Sequence, residues 1–193
     1  MKIIGVGCGP GLLTEQAITE ISRARTIYGS DRAIEIAQPH ISIDCKVKTI
    51  DDFKSLDKLP GDAVVLSTGD PMLSGLGFLA GEVIPGISSL QVAAARLHIP
   101  ISRVSIVVAH GRGHEKGMQE TIEEITRGKI VFLLADPKFS VPELYTRLTP
   151  LSLPVKVALC ENLAYPNESI IIRGLESPPI PEEVLYCLVI GNF

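Results

Sequence analysis

The chain of 193 residues is 46% hydrophobic and carries a formal net charge of −4. This length suffices to bury the core of one large or two small domains without a metal ion or a disulfide. Apolar stretches such as residues 130–135 are too short to cross a bilayer, and no secretory leader is evident, so we expect a cytoplasmic protein with no membrane partner. The acidic balance also argues against a nucleic-acid partner, because phosphate binding depends on clustered Lys and Arg.

The first half of the chain alternates short apolar runs with helical patterns. A strand over residues 3–6 leads through a glycine-rich turn into a helix, which Thr14 is placed to cap and whose first turn carries Glu15. A short helix follows Ser30, and residues 63–68 are typical of a parallel strand buried on both faces. The other elements predicted here are strands at residues 26–28, 47–50 and 104–108 and a helix at residues 88–97.

The second half has a different pattern, in which strands crowd toward the end of the chain. Helices are predicted at residues 118–126 and 141–148, and strands at residues 129–135, 155–159, 169–173 and 184–190. This organisation predicts an α/β protein of two small domains. We expect an α/β domain over residues 1–110 and a second α/β domain with a mixed sheet over residues 111–193.

Residues 7–11, Gly-Cys-Gly-Pro-Gly, form a turn after the first strand. A dinucleotide fingerprint would need glycine where Leu12 stands, and Pro10 offers no N–H group to a phosphate, so a pyrophosphate ligand is disfavoured. A turn with few free donors suits a neutral or cationic ligand that packs against bare backbone and carbonyl oxygens. A tight strand-to-helix turn without any ligand explains the same residues equally well.

Two further turns have a similar character. Residues 68–77 follow the predicted buried strand, and α/β proteins place ligands at the carboxyl ends of such strands. Residues 85–89, Pro-Gly-Ile-Ser-Ser, lead into a helix. We therefore expect the loops to face one crevice, although Asp70 is alternatively a simple turn residue before proline and Ser88 a helix cap.

Together these turns resemble those of the tetrapyrrole methylase family. Its members carry a VGxGPG loop, a GDP loop followed by small residues, and a PG(I/V)S(S/T) turn, which residues 6–11, 69–71 and 85–89 match in order. Glu161, Asn162 and Leu163, with Glu168 following, are similar to the family's EN motif. The resemblance implies the class III tetrapyrrole methylase fold, in which two small α/β domains hold the cofactor in the cleft between them.

The resemblance also implies a cofactor, S-adenosylmethionine, which leaves as S-adenosylhomocysteine. The residues that match the family's cofactor contacts are Pro10, Thr68, Gly69, Asp70, Leu73, Ser88 and Ser89 in the first domain, and Leu134 and Leu163 in the second. Family members imply a homodimer, which we expect here as well.

Within the family, the segments around His110 and Asp136 resemble the branch that methylates C5 of cobalt-precorrin-7 to give cobalt-precorrin-8 in cobalamin biosynthesis. Residues 28–32 agree with this branch. Some relatives are fused to a second methyltransferase that alkylates C15 and decarboxylates a side chain, for which this chain is too short, so we expect a separate partner enzyme. The alternatives are same-fold methyltransferases acting on another precorrin, a diphthine precursor or ribosomal RNA, and a non-catalytic nucleotide-binding module.

The implied tetrapyrrole substrate carries many carboxylates, so an acidic protein must concentrate positive charge at its site. The predicted substrate-binding residues are His110, Arg112 and Arg32, with Lys116 and Lys138 as further candidates. Arginine suits this role because its planar fork binds both oxygens of a carboxylate.

Asp136 and His110 are the candidate catalytic residues, as proton acceptors. Few acid or base groups are needed, because methyl transfer from a sulfonium is an in-line displacement that depends on positioning. We predict no metal site at His110 and His114, because Gly111 and Gly113 spoil a helical pair of ligands and no nearby carboxylate or thiol completes the set.

The substitution Arg112→Gln is expected to raise the Michaelis constant for the tetrapyrrole about tenfold or more, the size of effect that follows when a hydrogen bond to a charged group is lost. The affinity for S-adenosylhomocysteine, measured by titration calorimetry, should not change. An equal loss of both affinities would refute the assignment of Arg112 to the substrate.

Overall fold

The computed structural model describes the backbone of residues 1–193 and every side chain except that of Arg112. The chain divides into two compact units, Met1–Ser89 and Leu90–Phe193, and each contains a five-stranded sheet with helices. The predicted α/β class is thereby confirmed. The division precedes the boundary expected between residues 110 and 111, because the strand Val104–Ala109 pairs within the sheet of the second unit.

The first unit is built on a parallel sheet. Its strands are β1 (Lys2–Gly5), β2 (Thr26–Gly29), β3 (Lys46–Thr49), β4 (Val64–Ser67) and β5 (Glu82–Ile84), and its helices are α1 (Glu15–Ser22) and α2 (Asp31–Ala37). The strands lie in the order β3-β2-β4-β1-β5, and every pair is parallel. The carboxyl ends of β4, β1 and β5 are therefore neighbours at one edge of the sheet.

Local sequence explains the helices of this unit. The Thr14 hydroxyl accepts a hydrogen bond from the backbone N–H of Ala17 at 3.1 Å, as predicted, and the Ser30 hydroxyl accepts one from Ala33 at 3.3 Å. The apolar stripes of both helices pack on one face of the sheet, whereas Leu56 and Leu79 cover the other face. All four residues of β4 are consequently buried, in agreement with the continuous apolar run.

The second unit has a mixed sheet. Its elements are α3 (Ser89–Leu97, which begins at the last residue of the first unit), β6 (Val104–Ala109), α4 (His114–Thr126), β7 (Ile130–Ala135), α5 (Val141–Leu148), β8 (Lys156–Glu161), β9 (Ser169–Gly174) and β10 (Tyr186–Gly191). The order is β6-β7-β10-β8-β9; only β6 and β7 are parallel to each other, and the remaining pairs are antiparallel. The predicted mixed sheet is confirmed.

Helices α4 and α5 cover one face of the second sheet, where Leu133, Leu159 and Leu188 form the centre of the core. Helix α4 begins at His114, one turn before the predicted start at residue 118. The prediction missed this first turn because its four residues carry no apolar periodicity. Among the helices described, none has the length and apolar character needed to span a membrane.

The packing of α4 against β6 depends on the glycine at position 117. A Cβ added to Gly117 would lie 2.6 Å from the Cβ of Ala109, so the helix approaches the strand more closely than any larger residue allows.

We expect Gly117→Val to lower the free energy of unfolding by about 2 kcal/mol through overpacking. The matched change Glu120→Val, at an exposed position of the same helix, should cost only about 0.5 kcal/mol. Urea unfolding of both variants measures the difference, and equal small losses would contradict the close approach.

Candidate functional site

Three loops of the first unit leave adjacent strands at the same edge of the sheet. Residues 7–11 follow β1, residues 68–77 follow β4, and residues 85–89 follow β5. Because β4, β1 and β5 are parallel neighbours, their loops emerge side by side. The predicted convergence of the glycine-bearing loops is thus found within this unit.

The loops contact each other through backbone atoms. Gly7 and Gly69 exchange two hydrogen bonds, from Gly69 N to Gly7 O at 2.8 Å and from Gly7 N to Gly69 O at 3.2 Å. The N–H of Cys8 donates to the carbonyl of Ile87 at 2.9 Å. The first loop is therefore hydrogen-bonded to both of the others.

Glycine is required where these backbones meet. A Cβ added to Gly5 would lie 2.5 Å from the backbone nitrogen of Gly86, a separation that real structures do not tolerate. Gly7 and Gly69 have φ values of +82° and +68°, in the left-handed region that glycine enters without steric cost. These glycines are therefore needed for the conformation and packing of the loops, whether or not a ligand binds.

Asp70 ties two of the loops together. Its Oδ1 accepts the N–H of Met72 at 2.8 Å, which is the local turn hydrogen bond expected for Asp before proline. Its Oδ2 accepts the N–H of Gly86 at 3.0 Å, 16 residues away in sequence. Asp70 is therefore both the turn residue that the sequence allows and a link to the loop that contains Ser88 and Ser89.

The structure brings most of the predicted cofactor residues to this one edge. Thr68, Gly69, Asp70, Leu73 and Ser89 are half-buried, Ser88 is buried and Pro10 is exposed. Arg32, a predicted substrate residue, lies in the first turn of α2, directly after the carboxyl end of β2 at the same edge. Leu134 and Leu163 belong to the second unit, where Leu134 is half-buried and Leu163 is buried.

The second unit gathers another set of residues at the end of its sheet. His110 follows β6 and Asp136 follows β7, and the preceding residues Ala109 and Ala135 are paired in register. The side chain of Arg112, two residues beyond His110, lies outside the described part of the structure. Partial desolvation lowers the pKa of His110 and outweighs the attraction of the Asp136 carboxylate. His110 is therefore neutral at pH 7, with a ring nitrogen able to accept a proton.

Asp136 is held by several donors. Its Oδ2 accepts two hydrogen bonds, from the N–H of Gly111 at 2.6 Å and from Nε2 of His114 at 2.9 Å. Its Oδ1 accepts a hydrogen bond from the N–H of Lys138 at 2.8 Å. The hydrogen bond from His114, assisted by the two backbone donors, holds the pKa of Asp136 well below its usual range. A carboxylate stabilised in this way is a weak base.

A tyrosine supports the backbone at the same position. Burial, reinforced by the nearby Asp136 charge, raises the pKa of Tyr186 to about 12. The phenol therefore remains protonated at neutral pH and donates to the carbonyl oxygen of Asp136 at 3.2 Å. Both the side chain and the main chain of Asp136 are thus restrained.

The EN motif at the end of β8 is a tightly bonded turn. Glu161 is buried, and its Oε1 accepts the N–H groups of Glu182 at 2.7 Å and Glu183 at 3.0 Å. Glu168 accepts the N–H of Ala164 at 2.7 Å and a hydrogen bond from Nε of Arg96 at 2.7 Å; the latter lowers the pKa of Glu168. These acidic side chains fix the turn that contains Leu163.

Asn162 stands out within this turn. It has a φ of +49° and is only 7% exposed, and its Nδ2 has no hydrogen-bond partner among the described residues. A buried donor without an acceptor is costly, and such groups are rare in folded proteins. An acceptor supplied by a ligand would remove that cost, a feature that the sequence motif alone does not reveal.

His114 is the other residue whose role the sequence analysis missed. The sequence indicated only that His114 is not a metal ligand, in part because no carboxylate was expected nearby, whereas the structure pairs it with the Asp136 carboxylate at 2.9 Å. The sequence shows that His114 directly follows Gly111, Arg112 and Gly113. It does not show that β6 pairs with β7, and this pairing is what brings Asp136 next to His114.

Comparison with known proteins decides the family. The model for tetrapyrrole (corrin/porphyrin) methylases matches residues 2–178. The chain belongs to this family. The resemblance inferred from the three loops and the EN motif is confirmed, and the family's methylases share the present fold.

Two relatives cover nearly the whole chain. A probable cobalt-precorrin-7 C(5)-methyltransferase from Methanocaldococcus jannaschii is 32% identical over 192 residues, which covers 89% of this chain and 88% of the relative. The crystal structure of a cobalamin-biosynthesis precorrin-6Y methylase from Archaeoglobus fulgidus is 30% identical, with a TM-score of 0.76, and covers 99% of this chain and 96% of that one.

A more distant methylase shares the fold. The crystal structure of uroporphyrin-III C-methyl transferase from Thermus thermophilus, complexed with S-adenyl homocysteine, has a TM-score of 0.70 at 18% identity. It covers 98% of this chain and 96% of that chain.

The double use of Asp70 generates a test. Asn offers one acceptor oxygen instead of two, so Asp70→Asn should leave one backbone N–H unpaired and lower the free energy of unfolding by about 2 kcal/mol. Among the described residues, the Asp52 side chain accepts a single hydrogen bond, from the N–H of Lys54, and Asp52→Asn should change stability by less than about 0.5 kcal/mol. Urea unfolding gives both values, and hydrogen exchange at the Gly86 amide identifies the broken contact. Equal stability of the two variants would contradict the link.

Proposed function

We propose that this chain is an S-adenosylmethionine-dependent C-methyltransferase of cobalamin biosynthesis that methylates C5 of cobalt-precorrin-7 to give cobalt-precorrin-8. The observation that carries the proposal is the 32% identity to the Methanocaldococcus jannaschii C(5)-methyltransferase over nearly the full length of both chains. The Archaeoglobus fulgidus methylase, at 30% identity, supports a corrinoid precursor as the substrate class.

The residues present fit the proposed cofactor. The three converging loops of the first unit offer glycine backbone and carbonyl oxygens, and Pro10 removes a donor that a phosphate would need. S-adenosylmethionine, when bound, supplies an electrophilic methyl group on a positively charged sulfur. The complex of the Thermus thermophilus enzyme, which shares the fold, agrees with a cofactor of this kind.

Asp70 contributes to the cofactor site by holding loops in place. Both of its carboxylate oxygens already accept backbone N–H groups, so its contribution is the relative position of Gly69 and the turn that bears Ser88 and Ser89. The contacts of Leu134 and Leu163 with the cofactor follow from the family resemblance and stay predictions.

Positively charged side chains are proposed to bind the carboxylates of the macrocycle. The formal net charge of −4 gives no general attraction for a polyanion, so local cations must provide it. Arg32 and Arg112 are the proposed carboxylate ligands. Lys116 follows the turn at residues 111–113 by a few positions, and the N–H of Lys138 donates to the same Asp136 carboxylate that accepts the N–H of Gly111. His110 borders this turn.

Of the two candidate proton acceptors, we favour His110. Transfer of a methyl group from the cofactor to C5 would require the macrocycle to release a proton, which a residue of this chain would accept. His110 is neutral at pH 7 because desolvation lowers its pKa, whereas Asp136 is a weak base surrounded by three donors. The main demand on the protein remains the alignment of the two reactants.

Two further expectations remain proposals. The family implies a homodimer. The C15 methylation and decarboxylation that accompany the C5 reaction would be carried out by a separate enzyme.

The function is tested by incubating the chain with ¹³C-methyl-labelled S-adenosylmethionine and a panel of cobalt-containing and cobalt-free precorrins. We expect one labelled methyl group on cobalt-precorrin-7, located at C5 by NMR. Methylation of a different macrocycle or carbon would contradict the proposal.

A glycine variant with a matched control links transfer to the loops. Gly69→Val should abolish transfer, because its side chain would occupy space at the loop edge. Gly128→Val imposes the same strain, with a φ of +77° against +68° and similarly open surroundings, but lies in the turn between α4 and β7 and should retain transfer. Similar activity of both variants would argue against a cofactor at the loops.

A further inference from the structure

The turn formed by residues 111–113 is fastened at both ends by one oxygen atom. Oδ2 of Asp136 accepts the N–H of Gly111, the first residue of the turn, at 2.6 Å. The same oxygen accepts Nε2 of His114, the first residue after the turn, at 2.9 Å. Gly111 has a φ of +62°, so the turn leaves β6 in a conformation that glycine accommodates best.

The His114 ring is itself held in place. It makes a T-shaped contact with the ring of Phe139, with centroids 5.8 Å apart and an interplanar angle of 86°. Phe139 is buried, and its N–H donates to the carbonyl of Asp136 at 3.0 Å. The imidazole is therefore fixed by a hydrogen bond on one side and by an aromatic contact on another.

Asp136 is equally restrained. Its second oxygen accepts the N–H of Lys138, its carbonyl accepts the Tyr186 hydroxyl, and its N–H donates to Ala109 at 3.3 Å. The carboxylate thus has a fixed position at the end of β7. It can transmit that position to the turn through Gly111 and His114.

We propose that His114 and Asp136 form a clasp that sets the conformation of the turn at residues 111–113 and, through it, the binding of the tetrapyrrole substrate. The role of the clasp in substrate binding rests on the proposed function. His114 is thereby a positioning residue, which acts through Asp136 and the turn.

The clasp gives Asp136 a role other than proton transfer. All three donors on its carboxylate are structural, and each would have to be given up or weakened for the group to take a proton from substrate. Arg112, the proposed carboxylate ligand, is the middle residue of the fastened turn. Loss of the clasp should therefore weaken binding of the substrate, while the glycine loops of the first unit keep their own hydrogen bonds.

Two substitutions at one position separate the hydrogen bond from the packing. His114→Phe keeps an aromatic ring for Phe139 but removes the donor to Asp136. His114→Gln restores a donor, because the amide nitrogen of glutamine reaches about as far as Nε2 of histidine. His40→Phe makes the same chemical change at a histidine of the first unit and serves as the control.

We expect faster hydrogen exchange at the Gly111 amide in His114→Phe, and exchange close to that of the unmodified chain in His114→Gln and His40→Phe. The Michaelis constant for cobalt-precorrin-7 should rise about tenfold in His114→Phe, as for loss of a hydrogen bond to a charged group. Most of this loss should be recovered in His114→Gln. The dissociation constant for S-adenosylhomocysteine, measured by calorimetry, should stay within about twofold in all variants.

The outcomes distinguish the clasp from the function. Unchanged exchange at Gly111 in His114→Phe overturns the clasp, whatever the activity. Faster exchange with an unchanged Michaelis constant overturns its role in substrate binding, and equal losses for substrate and S-adenosylhomocysteine show general damage instead of positioning. If the unmodified chain methylates no precorrin, the proposed function fails, but the exchange measurement still decides whether the clasp exists.

Discussion

The arrangement of the first unit depends on three stretches of backbone that approach one another with no side chain between them. Gly5, Gly7, Gly69 and Gly86 make this approach possible, and the hydrogen bonds between Gly7 and Gly69 make it specific. Neighbouring parallel strands bring the loops to one edge, but only residues without a Cβ let them touch. The glycine motif therefore encodes a packing requirement that exists independently of any ligand.

Acidic side chains are used repeatedly to hold loops through backbone N–H groups. Asp70 does this in the first unit, and Asp136, Glu161 and Glu168 do it in the second. A carboxylate is well suited to the task because it accepts several hydrogen bonds and bonds to a charged acceptor are stronger than neutral ones. Residues that look catalytic in a sequence, because they are acidic and follow a strand, are here largely committed to shaping the backbone.

The sequence predicted local structure well where local physics dominates. Thr14 caps its helix, the apolar run at β4 is buried on both faces, and α5 has the predicted limits. Strand β5 escaped prediction because it has only three residues, between Gly81 and Pro85. The division between the units was misplaced because the pairing of β6 with β7 is a long-range contact that local periodicity does not contain.

The candidate site was predictable to the same extent. Loops that follow parallel strands must share an edge, so the convergence of the glycine turns could be inferred from the sequence. The partners of the acidic residues could not, since Asp70 reaches Gly86 across 16 residues and Asp136 reaches Gly111 across 25. The sequence also could not reveal that Nδ2 of Asn162 has no hydrogen-bond partner among the described residues, because an absent hydrogen bond can be recognised only in three dimensions.

The way in which the turn at residues 111–113 is fastened has a consequence for substitutions at position 112. Asp136 grips a main-chain atom of Gly111 and the ring of His114, and neither contact specifies which amino acid stands between them. A substitution at position 112 therefore removes neither of these two contacts of Asp136. The shape of the turn and the chemical character of the side chain that it carries are therefore determined by different residues.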